Sequence, residues 1–184
     1  GNYNSATNSG SIVTSGDAAR GVSAGGDDVV IDNTASGTIA TSGLNADGIR
    51  LAGDDTLNVG PEITNFGSIA TTGADADGIS LSGNNSEIYN YGSISTTGGV
   101  GGVDTLYGAD GIEVDGDNNY IANFSGGSIT TTGADAEGVR ASGDYNFVYN
   151  AYGASITTSG GSAEGVLVEG TSNTVSNFGA ITTN

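Results

Sequence analysis

The 184-residue chain contains no cysteine, histidine, methionine, tryptophan or lysine, and only one proline. Without cysteine there can be no disulfide and no thiolate metal site, and without histidine the commonest general base and metal ligand is missing. No apolar run reaches the roughly 18 residues that a membrane-spanning helix needs, so no transmembrane segment is predicted. We therefore predict that the chain is not an enzyme and requires no cofactor.

Positive charge is also scarce. Three arginines, Arg20, Arg50 and Arg140, stand against 21 acidic residues, which gives a net charge of −18. Nucleic acids and anionic membrane surfaces select clusters of Lys and Arg. We therefore expect no nucleic-acid partner, whereas cations and neutral sugars are compatible with this charge.

Glycine is abundant, with 34 residues, and much of it belongs to an internal repeat. Residues Gly67 to Tyr91 follow the pattern GSIxTTG, xxADG, IxLxG and xxxxIxN plus an aromatic residue. The first isoleucine recurs every 25 to 35 residues, at Ile12, Ile39, Ile69, Ile94, Ile129, Ile156 and Ile181. Each unit holds three short alternating stretches bounded by Gly, Asn and Asp, which is typical of half-buried strands.

A unit of this length has no room for a helix, so the repeat predicts an all-β protein. We expect a parallel β-helix, or β-solenoid, with three strands per coil, about six to seven coils and a single domain over residues 1–184. Coils about 4.8 Å apart place equivalent residues in columns along the rod. The aliphatic columns predict a continuous core.

Other columns predict how the coils are held together. An asparagine closes the third strand of each unit, and stacked amides can form a hydrogen-bonded ladder: Asn33, Asn65, Asn90, Asn123, Asn150 and Asn177, with Asn8 before them. The adjacent aromatic residues predict a ring stack: Phe66, Tyr91, Phe124, Tyr152 and Phe178. In the ADG motif we expect the alanine to fill a tight inner corner and the glycine to adopt a backbone conformation closed to other residues.

These motifs resemble the passenger repeats of bacterial autotransporters and related large secreted adhesins, whose NxGxIxTxGxxADGIxL units wind a right-handed β-helix. The resemblance covers essentially the whole chain and implies an extracellular or cell-surface location with a structural or adhesive role. Neither end carries the polar cap that a solenoid needs. We therefore expect a fragment, or a fibre subunit that stacks end to end with copies of itself or neighbouring repeats.

The acidic turn residues are candidates for Ca²⁺ binding, because carboxylates in register supply the oxygen ligands that this ion prefers. The candidates are Asp47, Asp75, Asp77, Asp110, Asp135 and Glu137, with Glu164 continuing the column. Solvated turns with local side-chain hydrogen bonds are the default expectation for these residues, and Ca²⁺ binding is the alternative. An enzyme that cleaves glycosides with paired carboxylates is disfavoured, because the acids recur with the repeat.

An outward strip of aromatic residues is the best candidate for a ligand or partner surface: Tyr89, Tyr120, Phe147 and Tyr149, with Tyr107 on the inserted loop at 98–107. Such rings can bind host or cell-surface glycans or another protein, although they also favour strands for structural reasons. The inserted loops at 98–107 and 57–61 are further places for recognition or simply tolerated insertions.

A second outward surface carries pairs of small residues, Ala70/Thr72, Ser95/Thr97, Thr130/Thr132 and Thr157/Ser159. These pairs resemble the ice-binding faces of antifreeze proteins. A carbohydrate- or ice-binding module is therefore the alternative to a structural role.

Overall fold

The structure is a computed structural model that describes residues 4–56, 62–99 and 108–184. Within these residues the chain forms twenty β-strands in three sheets and no helix. Sheet A contains β1 (Asn4–Asn8), β4 (Val29–Asn33), β7 (Ile63–Asn65), β10 (Glu87–Asn90), β13 (Tyr120–Asn123), β16 (Phe147–Asn150) and β19 (Thr174–Asn177). Sheet B contains β2 (Ser11–Thr14), β5 (Thr38–Thr41), β8 (Ser68–Thr71), β11 (Ser93–Thr96), β14 (Ser128–Thr131), β17 (Ser155–Thr158) and β20 (Ala180–Thr183). Sheet C contains β3 (Val22–Gly25), β6 (Ile49–Ala52), β9 (Ile79–Ser82), β12 (Ile112–Asp115), β15 (Val139–Ser142) and β18 (Val166–Glu169).

Each inner strand pairs in parallel with the strands three elements before and after it, and each terminal strand of a sheet pairs with one of them, so three strands complete one coil. The register aligns equivalent repeat positions. Ile94 pairs with Ile69 on one side and Ile129 on the other, and Asn90 pairs with Asn65 and Asn123. The predicted all-β solenoid with three strands per coil is therefore confirmed.

The core lies inside the coils and consists of aliphatic side chains from all three sheets. Strand positions alternate between buried and partly exposed, as expected when one face of each short strand is covered. The largest fully buried side chains are Ile31, Ile39, Ile49, Leu51, Ile63, Ile69, Ile79, Leu81, Ile88, Ile94, Ile112 and Ile121.

A buried threonine closes the corner between sheets B and C. The hydroxyl of Thr71 donates a hydrogen bond of 2.6 Å to the carbonyl oxygen of Ala76, and Thr131 donates similarly to Ala136 at 2.7 Å. Both alanines are fully buried. The alanine of the ADG motif therefore fills a tight inner corner, as predicted.

The glycine of the same motif is required for a different reason from the predicted one. These glycines do not have a positive φ. A Cβ atom on Gly111 would lie 2.3 Å from Cγ2 of Ile129 and 2.5 Å from the carbonyl oxygen of Gly138. Close packing between coils, rather than backbone conformation, excludes a side chain here.

The left-handed backbone lies instead at the residue before the alanine. Asn45, Asp75 and Asp135 have φ values of 52°, 49° and 49° there. Asn and Asp tolerate this conformation better than most residues. The left-handed backbone is therefore a local reason for an aspartate at Asp75 and Asp135, which are two of the proposed Ca²⁺ ligands.

Both insertions leave the coils in register. Strands β11 and β14 pair residue for residue although residues 100–107 lie between them, and β4 pairs with β7 across residues 57–61. The candidate residue Tyr107 and the proposed loop at 57–61 lie outside the described residues. In the described ranges we find no helix capable of crossing a membrane.

Candidate functional site

The asparagines that end the strands of sheet A form a continuous ladder. Each Nδ2 donates to Oδ1 of the next asparagine over 2.8–2.9 Å, from Asn8 through Asn33, Asn65, Asn90, Asn123 and Asn150 to Asn177. The five from Asn33 to Asn150 are buried. These amides are therefore occupied by contacts between coils and are not available to a ligand.

Eight rings form one connected network beside this ladder, which we call the aromatic surface: Phe66, Tyr89, Tyr91, Tyr120, Phe124, Phe147, Tyr149 and Phe178. Tyr91 is stacked between Phe66 and Phe124, with centroid distances of 4.8 and 4.7 Å. Tyr120 and Phe147 form a second stack at 5.4 Å. The structure thus joins four of the predicted ligand-surface residues to the corner stack.

Tyr152 does not belong to the ring stack, so that prediction is wrong. Ala151 occupies the stack position, because its amide donates to the carbonyl of Asn123 as the amide of Phe124 donates to Asn90. Tyr152 is 85% exposed. Tyr149 spans the gap above Ala151, with ring centroids 6.1 Å from Phe124 and 6.0 Å from Phe178.

Stacking decides which ring faces a ligand can reach. Both faces of Tyr91 are covered by neighbouring rings, so this residue presents only its edge. One face of Phe147 is covered by Tyr120, and the other lies toward Thr174, its register partner in β19. Since threonine is small and Thr174 is exposed, a ligand can reach this face of Phe147 more easily than either face of Tyr91.

The acidic turn residues are buried, so the expectation of solvated turns is wrong for most of them. Asp47, Asp77, Asp110 and Glu137 are only 1–7% exposed, whereas Glu164 is exposed. Oδ1 of each aspartate accepts the backbone N–H of the next member of the column, for example Glu137 N–H on Asp110 at 2.7 Å. We call this column the carboxylate ladder.

Burial raises the pKa of several groups in the carboxylate ladder. It holds the pKa of Asp77 well above its ordinary range, and the charges of Glu113, Asp110 and Asp47 raise it further. Burial likewise raises the pKa of Asp110, with Glu137 as the next cause. The pKa of Asp47 is raised by burial too, although Arg20 opposes the effect.

Asp75 and Asp135 are half-buried at the turns that precede Asp77 and Glu137. Among the described residues we find no group of three or more acidic side chains arranged to hold a metal ion. Oδ1 of each ladder aspartate accepts a backbone amide of the next coil, and Oδ2 of Asp47 accepts a hydrogen bond of 3.0 Å from Arg20 Nε. Ca²⁺ binding stays a prediction.

Glu62 is a buried acid that sequence reasoning missed. It is 1% exposed, and its Oε2 accepts the N–H of Glu87 at 2.6 Å. Burial raises its pKa to about 7, and the nearby charge of Asp55 contributes to the increase. Strand alternation predicts an outward side chain at Glu62 beside buried Ile63, so its burial could not be predicted from the pattern of residues.

All three arginines lie on or beside sheet C and pair with acids. Arg20 and Arg50 both approach Asp47, at 3.0 and 3.9 Å. Arg140 is largely buried and bridges Glu113 at 2.8 Å and Glu169 at 3.2 Å. Arg20 and Arg140 therefore hold neighbouring coils together on one face, whereas Arg50 approaches an acid of its own coil.

The outer face of sheet B carries small, uncharged side chains. Ser95, Thr130, Thr157 and Thr182 are aligned by strand register. Thr72, Thr97, Thr132 and Ser159 are exposed beside this column. The predicted pairs therefore form a regular hydroxyl-bearing array, although Ala70, Ala40 and Val13 interrupt it toward β2.

No protein-family model matches the chain, and neither the curated proteins nor the solved structures include a significant match.

Proposed function

We propose that the chain is a structural and adhesive module outside the cell, a rigid β-solenoid rod that serves as an adhesin stalk or fibre subunit. The observation that carries this proposal is the use of polar side chains between coils. The Asn ladder, the carboxylate ladder and the ion pairs of Arg20 and Arg140 all join one coil to the next. Polar side chains that could otherwise form a reactive site instead make contacts that stabilise the rod.

A rod of this kind is extended by adding coils, because each coil contacts its immediate neighbours. The seven-stranded sheets span roughly 29 Å along the axis at the usual strand spacing. At the last coil the inward residues Val175 and Ile181 are 43% and 36% exposed, whereas their equivalents in inner coils are buried. A further coil from neighbouring repeats or a second copy would cover them.

Electron microscopy of the purified chain at increasing concentration tests this proposal. We expect to observe rods that lengthen by end-to-end stacking. The substitution Val175→Lys should reduce this lengthening, because it places a charge on the end face of the rod. Val13→Lys is the matched control, since Val13 points outward and is 74% exposed. Compact particles, or equal lengthening of both variants, would contradict the proposal.

Carbohydrate binding by the aromatic surface is the second candidate function. The accessible face of Phe147 beside Thr174 supports it, because apolar sugar faces stack on open aromatic rings. A glycan array compares the wild type with Phe147→Ala and Tyr149→Ala. Tyr152→Ala serves as the control, because this exposed ring lies outside the aromatic surface. Unchanged binding by the first two variants would dismiss this candidate.

Ice binding is supported by the uncharged hydroxyl array of sheet B. An ice-shaping assay compares the wild type with Thr130→Lys, which disrupts the array, and with Ser23→Lys on sheet C. Ice crystals that grow identically with and without the wild-type chain would eliminate this alternative.

A further inference from the structure

A cleft of about 410 Å³ opens on the face of sheet C, close to its corner with sheet B. Strand register places Ser80 between Arg50 and Glu113 in the outward column of this sheet. The short serine forms the floor, and the two longer side chains form the walls. The rest of the polar lining comes from Arg20, Asn45, Asp47, Asp75 and Asp77.

The space between the next two residues of the same column is filled by their side chains. There Glu113 and Arg140 are adjacent in register and form an ion pair of 2.8 Å, so their side chains occupy the space between them. The cleft therefore results from one small residue at position 80.

The two aspartates of the cleft differ in whether they form an ion pair with an arginine. Asp47 is paired with Arg20 and Arg50. Asp77, one coil further, is 7% exposed, and its Oδ1 accepts the N–H of Asp110 at 2.8 Å. None of the ion pairs in the described part of the chain includes Asp77. Burial and the neighbouring acids raise the pKa of Asp77. A positively charged ligand group beside Asp77 would stabilise its ionised carboxylate.

The other lining groups favour a ligand with several hydroxyls. Asn45 can donate and accept hydrogen bonds, and the Ser80 oxygen can accept one while its hydroxyl donates to Glu113 at 3.4 Å. Arg50 presents several N–H donors on a side chain that is 40% exposed. The volume falls in the range of small-molecule sites. We propose that this cleft binds an amino sugar with a free amine, with its ammonium group at Asp77 and Glu113 and its hydroxyls at Arg50, Ser80 and Asn45.

The ammonium at this position would be held by charge-assisted hydrogen bonds, which are stronger than neutral ones. N-acetylation removes the charge and adds bulk, so an acetylated sugar lacks the group that the carboxylates select. The site lies on sheet C and is separate from the aromatic surface of sheet A. It does not depend on the structural role proposed above.

Isothermal titration calorimetry with glucosamine as the probe and N-acetylglucosamine as the neutral comparison tests the proposal. Wild-type protein is expected to bind glucosamine at least about tenfold more tightly than N-acetylglucosamine. Asp77→Asn keeps an oxygen for the Asp110 amide but removes the charge, and a loss of about tenfold or more in glucosamine affinity is expected. Asp110→Asn is the matched control, because this buried acid belongs to the same ladder but does not line the cleft.

Ser80→Leu provides a second variant, since it fills the cleft without altering any charge and should abolish binding. Thermal melts establish that each variant is folded. Equal binding of the two sugars, no heat with glucosamine, or equal effects of Asp77→Asn and Asp110→Asn would overturn the proposal. Equally tight binding of Nα-acetyl-lysine amide would overturn the assignment to a sugar. Each of these results leaves the end-to-end stacking experiment unaffected.

Discussion

The side-chain Nδ2 of Asn90 donates a hydrogen bond of 2.8 Å to Oδ1 of Asn123, although 33 residues separate them along the chain. The preceding contact, from Asn65 to Asn90, spans 25 residues and has the same length. Residues 100–107 therefore lengthen the path between these contacts without altering the contacts. The ladder and the core, rather than the length of the repeat unit, set the register of the coils.

Replacing Asn90 with alanine is expected to destabilise the fold by about 2–4 kcal/mol, because it removes the buried ladder contacts of Asn65 Nδ2 and Asn123 Oδ1. Urea denaturation measures this loss. Asn177→Ala, at the exposed end of the ladder, should cost less than half as much. Equal losses would show that buried amide pairing is not what stabilises the ladder.

Gly111→Ala is expected to cost about 3 kcal/mol or more, since its Cβ would overlap Ile129 and the carbonyl oxygen of Gly138. Gly161→Ala is the control, because no atom lies within 4 Å of the added Cβ. That variant should change the free energy of unfolding by less than about 0.5 kcal/mol. Thermal unfolding of both variants tests whether the close approach of the coils causes the loss of stability in Gly111→Ala.

Stability is expected to fall as the pH rises from 4.5 to 7. Burial raises the folded-state pKa of Glu62 from 4.5 to about 7, so its stabilising contribution is full below the lower value and is lost through the higher one. The shift corresponds to about 3 kcal/mol. Asp77 and Asp110, whose pKa values are also raised by burial, act in the same direction.

Urea denaturation at pH 5 and pH 8 measures this effect, with Glu62→Gln as the comparison. The amide stays neutral and can still accept the Glu87 N–H, so this variant should lose less stability between the two pH values. A wild-type midpoint that rises with pH, or the same change in both proteins, would contradict the prediction.

Arg140→Met is expected to destabilise the fold by about 3 kcal/mol, because it leaves Glu113 and Glu169 without their shared cation. Arg50→Met is the control, since Arg50 is 40% exposed and 3.9 Å from its partner, and it should cost less than about 1 kcal/mol. Adding Glu113→Gln to Arg140→Met should recover part of the loss in a double-mutant cycle.

Tyr145→Asn is expected to stabilise the fold by about 1 kcal/mol. Tyr145 has a φ of 59°, a left-handed conformation that asparagine adopts at lower cost, and it is 62% exposed. Asn85 and Asn118 have the same conformation, with φ values of 60°. The control Tyr152→Asn, at a residue without positive φ, should not raise the melting temperature.

Residue spacing was sufficient to predict the coils, because a solenoid repeats one local pattern and pairs it with its nearest copy. Ile69 and Ile94 already identify the inward position of sheet B from their shared motif. The Asn and Thr columns follow in the same way. Deviations from the repeat were harder to predict: Ala151, rather than Tyr152, takes the stack position because residues of that turn are shifted by one.

Burial of the acids could not be predicted, since an aspartate in a Gly-rich turn looks solvated unless the neighbouring coil is known. Asp110 is buried by packing at the corner, and its Oδ1 accepts a backbone amide that carries no sequence signature. Glu62 illustrates the same limit, because its alternation with Ile63 predicts an outward side chain. The cleft at Ser80 depends on residues 50 and 113, which meet through register alone.

Stacked three-strand coils with an aliphatic core follow from residue type and spacing alone, because both repeat from unit to unit. Three features became known from the folded chain: acids of the ADG turns are buried, Tyr149 connects two parts of the aromatic surface, and a cleft opens beside Asp77. These features arise from side chains of different coils whose sizes do not repeat. A local pattern therefore cannot specify them until the coils are stacked.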